Sequence, residues 1–192
     1  MSAVLTKQAI AASLKRLLAD KPLSKVNVTD IARECGISRM TFYYHFEDIY
    51  DLVEWACQED AARAIAGKKT ADTWQAGLLN VFHAVREDRH FIMNVYRCMN
   101  RSRIEAFLVP VVHDLMIDVM DECDPGTAVP RCDRDFIVRF FEYSFIGCLL
   151  AWIDEGMAEE PEVIVDRIGV IMDGQMRGAL ERFSDERSAW RR

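Results

Sequence analysis

Residues 27–46 read NVTDIARECGISRMTFYYHF, and their local chemistry predicts two short helices joined by a tight turn. Asn27 stands where an N-cap belongs, and Asp30, three residues on, complements the exposed N–H groups of the first helix. Ile31, Ala32 and Cys35 share one side of that helix, and Gly36 follows as a left-handed terminator. Ile37 plugs the turn, and Ser38 caps a second helix from Arg39 to about His45. This order of helix, glycine-containing turn and helix is a helix-turn-helix. Ala32 is small where a larger side chain would force the two helices apart. With Ile37 and Phe42 turned inward, Ser38, Arg39, Met40, Thr41, Tyr43 and Tyr44 are left towards solvent. Arg39 suits a guanine edge or a phosphate, Thr41 a phosphate or a thymine methyl, and the tyrosine hydroxyls phosphate oxygens. Lys25 and Thr29, near the start of the first helix, are placed for contacts with a DNA backbone. Each residue alone reads as solvated surface; the spacing gives them a joint meaning.

Outside this segment the periodicity is also helical. Ile10, Leu14, Leu17 and Leu18 form a stripe that ends before Pro22. Ile49, Leu52, Val53 and Ala56 open a helix expected to stop at Gly67. Trp74, Leu78, Val81, Phe82 and Val85 mark the next, then Ile92, Val95 and Met99, and beyond Pro110 come Val112, Leu115, Met116 and Val119. Two long helices are expected at the end, Asp133 to about Gly156 and Pro161 to about Ser184, joined by the acidic link Glu155–Glu160. The first is apolar around much of its circumference, which calls for cover on several sides. Two such helices from each of two chains would make a four-helix dimer interface. With five prolines and nine glycines in 192 residues, and no sustained period-2 alternation, the chain is all-α.

The net charge of −7 comes from 24 basic and 31 acidic residues, which taken whole speaks against a polyanionic partner. It is unevenly distributed. Through Phe46 seven basic residues face three acidic ones, a net of +4, and the remainder carries 17 basic and 28 acidic, a net of −11. Such asymmetry is a hint of a polyanion-binding head on an acidic body. No secretory signal is read at the start, and the apolar stretch Phe145–Ile153 is short for a bilayer span, which needs roughly 18 residues. Six cysteines without ligand spacing read as free thiols of a reducing cytosol. The expectation is a cytoplasmic protein with no membrane partner.

The segment DIARECGISRMTFYYHFEDIYDL closely resembles the amino-terminal domain of TetR-family transcriptional regulators, whose pattern is roughly D-I-A-x-x-x-G-[VI]-S-x-x-T-x-Y-x-H-F. The likeness covers about residues 6 to 55. It implies an all-helical homodimer on a palindromic double-stranded DNA operator, with a TetR-like three-helix DNA-binding domain (1–47) and a larger helical effector-binding and dimerisation domain (48–192). Family DNA-contact roles fall on Thr29, Arg39, Met40, Thr41, Tyr43, Tyr44 and His45. Many members carry a Lys after H-F-x-x; Ile49 stands there instead, beside Glu47 and Asp48. The variant HFEDIYDLVEW is similar to a subgroup that includes activators of dihydroxyacetone-kinase operons, which dock a kinase-like protein.

No P-loop, GxGxxG, HExxH or GxSxG is present, and the spacings of His83, His90 and His113 with Cys98 or Cys123 match no ligand motif. Neither an enzyme, a metal nor a cofactor is expected. Trp74, Phe82, Phe91, Tyr96, Phe140 and Tyr143 are candidates for lining a ligand cavity between helices, with plain core packing as the competing reading. Two regulator readings follow: control of the head by a small molecule or protein bound to the body, and DNA binding that depends on a protein partner such as a dihydroxyacetone-kinase-like protein. For the second, Arg101, Arg103 and Glu105 would offer a charged loop.

Overall fold

The computed structural model describes residues 3–124, 126 and 129–190, with side chains as far as Asp185. Among them the chain is helical throughout: α1 (Ala3–Asp20), a 3-10 turn (Leu23–Lys25), α2 (Val28–Cys35), α3 (Arg39–His45), α4 (Ile49–Ile65), α5 (Trp74–Glu87), α6 (Arg89–Cys98), α7 (Arg101–Cys123), α8 (Arg131–Asp154), α9 (Pro161–Met172) and α10 (Gln175–Trp190). It divides into two compact units, one of residues 1–61 and 85–107, the other of residues 62–84 and 108–192.

In the first unit α1 is the hub. Its buried stripe, Ile10, Ala11, Leu14 and Leu18, packs with Ile31, Ala32 and Phe42 in a core that also takes in Phe46, Leu52 and Val53. Helix α1 stops before Pro22, where Asn94 of α6 seals the end: its side-chain amide donates to the Leu18 carbonyl (3.0 Å) and accepts from the Leu23 N–H (3.4 Å). Lys15 is held at the same hub between the carboxylates of Asp60 (2.6 Å) and Asp88. Its burial lowers the ammonium pKa, but those two hydrogen bonds outweigh it and the net displacement is upward.

In the second unit α8 supplies the core through Ile137, Val138, Phe141, Phe145, Ile146, Leu149, Leu150 and Ile153. Trp152 packs on Phe82 of α5 (ring centroids 4.9 Å apart) and donates its indole N–H to the Glu159 carbonyl at 2.8 Å. Glu142, 2% exposed, lies 3.0 Å from His113 Nδ1, so a carboxylate inside this core has a partner. Helix α9 opens on Pro161 at its first position, where no N–H is needed.

Three boundaries differ from the periodicity. Helix α7 begins at Arg101 and carries Pro110 in its interior, rather than starting beyond that proline. Buried Ile104 and Phe107 on one side and Leu115 and Met116 on the other hold both halves in place, against the hydrogen bond a proline forfeits. The last helix is broken, because Gly174 takes a left-handed φ of 64° between α9 and α10. Finally, the apolar character of α8 extends well beyond the Phe145–Ile153 stretch. It has 24 residues and an 18-residue window of mean hydropathy 1.6, long and apolar enough to cross a bilayer, and 56% of that window is buried inside the protein.

Candidate nucleic-acid interface

The helix-turn-helix forms through hydrogen bonds that act over three to five residues. Asn27 Oδ1 accepts from the Asp30 N–H (3.0 Å) while Asp30 accepts from the Asn27 N–H (3.3 Å), a reciprocal cap at the start of α2. Gly36 closes the helix at φ 72°, and the Ile37 N–H donates back to the Ala32 carbonyl at 2.9 Å. Ser38 Oγ then accepts from the Thr41 N–H at 3.0 Å and starts α3. Ala32 is buried at the contact between α2 and α3.

What α3 leaves outside is a compact set. Phe42 is fully buried, whereas Met40 (79%), Tyr43 (47%) and Tyr44 (83%) are exposed, as are Ser38 and Arg39. Lys25 and Thr29 are exposed on the neighbouring turn and α2. Two residues are less available than the sequence suggests. Thr41 is half-buried with its hydroxyl 2.9 Å from Ser38 Oγ, and His45 is half-buried with its ring edge-on to Tyr44.

Three of the seven basic side chains of the head are held in ion pairs. Lys15 is held by Asp60 and Asp88, Arg16 by Glu34 (2.7 Å) and Lys21 by Asp30 (3.2 Å). The Lys21 hydrogen bond is the main cause holding the Asp30 carboxyl below its usual range. Lys7 lies over the rings of Phe46 and Trp55, 5.1 and 5.7 Å from their centroids. Lys25 and Arg39, like the exposed Arg33 of α2, make no ion pair among the described residues, and Arg39 opens α3 itself. The acidic residues after His45 have a structural task. Asp48 accepts from the Asp51 N–H (2.8 Å) at the start of α4, and Asp51 accepts from the Glu47 N–H (2.9 Å).

The six aromatic candidates for one ligand cavity are dispersed. Phe91 and Tyr96 belong to the first unit, where Phe91 is buried with the Lys15 ammonium 5.2 Å from its ring centroid. Phe82 is core beneath Trp152. Phe140 and Tyr143 are exposed on α8. Trp74 lines a cleft of the second unit with its ring against Phe145 at 5.6 Å. The expected loop of Arg101, Arg103 and Glu105 is the first turn of α7, where Arg101 pairs with Glu105 (2.8 Å) and Arg103 with Glu54 (2.6 Å). Nothing in the periodicity pointed to the cleft beside Trp74, because its walls come from five helices, α5 and α7 to α10.

Two family descriptions match the chain: "Bacterial regulatory proteins, tetR family" over residues 10–56, and "Transcriptional regulator C-terminal region" over residues 72–174. The second alone spans more than half of the chain. The chain belongs to the TetR family. Its relatives include the HTH-type dhaKLM operon transcriptional activator DhaS of Lactococcus lactis, 27% identical over 93 residues, 48% of this chain and 50% of that protein. The HTH-type transcriptional regulator EthR of Mycobacterium tuberculosis is 37% identical over 84 residues, 38% of each chain. The chain thus spans half or less of the length of these curated relatives. Among solved structures, the dihydroxyacetone kinase operon activator DhaS superposes with a TM-score of 0.70 at 21% identity, covering 91% of this chain and 97% of that one. A TetR-family regulator from Streptomyces coelicolor gives 0.59 at 16% identity, covering 95% and 90%. At these identities the structural likeness speaks for the TetR fold, and the relatives are regulators rather than enzymes.

Proposed function

We propose that the chain is a DNA-binding transcriptional regulator that reads a palindromic operator as a homodimer through the exposed face of α3. One observation carries this: Arg39, Met40, Tyr43 and Tyr44 lie exposed together on α3, and Arg39, like Lys25 and Arg33, forms no ion pair among the described residues. Ser38, Thr29, Thr41 and His45 complete the contact set, the last two with less reach. Arginine and tyrosine hydroxyls suit base edges and phosphates, and Met40 offers an apolar contact. In functional terms residues 1–47 form the reading head and residues 48–192 the regulatory body, their outermost two residues at each end lying outside the described ones. The reading has no catalytic step, needs no metal or cofactor, and sets the protein to work in the cytoplasm.

Dimerisation through α8 and α9 is the second part of the proposal. Phe136 (59%) and Phe140 (61%) of α8 and Ile171 of α9 are exposed along an apolar groove of about 690 Å³, and Tyr143 (56%) of α8 is exposed as well. A face of that kind favours a second copy, because closed twofold pairs are the commonest assemblies. An effector bound to the body acts on the DNA only by its differential affinity for two states of the dimer. A gel-shift titration on the DNA upstream of the chain's own gene, with the mass of the free protein measured alongside, tests both parts. A dimeric mass with a saturable shift supports the reading; a monomer, or no shift at any concentration, removes it.

A second reading, in which DNA binding waits on a protein partner, is favoured by the similarity to DhaS, a dhaKLM operon transcriptional activator. A dihydroxyacetone-kinase-like protein that sharpens the gel shift would select it over a small-molecule effector.

A further inference from the structure

Within the second unit, a cleft of about 990 Å³ opens between the start of α5 and helices α7, α9 and α10. Its lining is divided in chemistry. Trp74, Met116, Val119 and Met176 form an apolar floor, with Met116 and Met176 almost wholly buried. Around this floor Asp72, Asp166 and Asp173 stand exposed, and none of them forms an ion pair among the described residues. The other acids and bases nearby are already engaged: Glu122 accepts from the Ala71 N–H at 2.5 Å, and Lys69 pairs with Asp118 at 3.7 Å. Arg177 is the one basic side chain among the described lining residues. Burial pushes the Cys123 thiol pKa up; Arg177 opposes it, and Glu122 and Asp72 add to the rise to a smaller degree.

We propose that this cleft binds a small amphipathic organic cation, its apolar body on Trp74 and the methionines and its charge against Asp72, Asp166 and Asp173. An amphipathic anion would meet three carboxylates and one guanidinium, and a neutral ligand would leave all three carboxylates unused. An indole face attracts a cation beyond its apolar contact, and thioether side chains adapt to irregular apolar shapes. The volume is of the size that encloses drug-like molecules. The inference rests on the proposed role of the body as effector sensor and gives that effector a chemical class.

Calorimetric titration of the full chain with decyltrimethylammonium and with tetraphenylphosphonium tests it, with decanoate as the anion of equal chain length. Both cations are expected to bind, and decanoate about tenfold more weakly or less. In the double variant Asp166→Asn, Asp173→Asn the cation affinity falls about tenfold while the circular dichroism and melting temperature stay as in wild type. Trp74→Phe weakens tetraphenylphosphonium binding with helicity unchanged. An unchanged affinity in the double variant, decanoate binding as tightly as the cation, or no cation binding below about 1 mM overturns the proposal. A gel shift in the same samples separates it from the regulator reading. Protein that shifts its DNA and ignores both cations refutes the cleft alone. Protein that binds the cations through these aspartates and shifts no DNA upholds the cleft and removes the regulator reading.

Discussion

Exposed aromatic side chains occur on two helices, and their neighbours differ. On α3, Tyr43 and Tyr44 sit on a seven-residue helix that begins with Arg39, a cation in no ion pair among the described residues. On α8, Phe136 and Phe140 border an apolar groove continued by Ile168, Ile171 and Met172 of α9. Exposure alone does not distinguish a DNA-reading face from a self-associating one. The charge beside the rings and the polar tips they carry do. Tyrosine hydroxyls with an arginine are complementary to phosphates and bases; phenylalanines beside an aliphatic groove are complementary to another such surface.

The sharpest way to break this comparison is to put a charge on the α8 face. Phe140→Asp buries a carboxylate in the proposed dimer, costs more than about 3 kcal/mol of association, and abolishes the gel shift with α3 intact. Analytical ultracentrifugation reads this directly, and a variant that stays dimeric dissolves the contrast. Next in size is the response to salt. A dimer presenting Lys25 and Arg39 twice neutralises about four phosphates, so its operator affinity falls about a hundredfold between 50 and 200 mM salt. Dimer mass is unaffected over that range.

Arg39→Ala and Tyr44→Ala each weaken operator binding by about 1–3 kcal/mol without changing the dimer. Wild-type shifts from both would deprive α3 of its role. Removing a cap costs less: Asn27→Ala lowers the stability of the head by about 1 kcal/mol in urea unfolding, because the Asp30 N–H loses its acceptor.

A further effect concerns pH. Burial pushes the Cys57 thiol up to about 12 from an ordinary value of 9.0. The native state therefore holds that proton more tightly than the unfolded chain. Its contribution is fully present below about pH 9 and is lost as pH rises towards 12. Unfolding measured across that window declines less steeply for Cys57→Ala than for wild type.

Much of the head was legible in the residues because its chemistry is local. Asn27, Asp30, Gly36 and Ser38 act on backbone groups within a turn of themselves, so identity and spacing suffice to set the ends of α2 and α3. The TetR pattern over the same residues carries the family for the same reason. Helix type elsewhere followed from apolar periodicity. Where helices stop did not always follow: Pro110 stays inside α7 because packing on both sides outweighs its lost hydrogen bond. Gly174 breaks α9 from α10 through a backbone torsion that no stripe announces.

Sequence alone therefore settles the elements whose hydrogen bonds close within four or five residues, and with them the all-α class and the reading helix. Partners across the chain belong to the tertiary structure. Lys15 finds Asp60 and Asp88 at separations of 45 and 73 residues, which holds one of the cations counted in the head's net charge in ion pairs. Phe91 and Trp74, alike as buried-aromatic candidates, fall in different units. Aspartates from the α5 approach and from α9 meet above one apolar floor. Burial and charge pairing depend on which segments meet in space, and the stripe on a single helix records only that it must meet something.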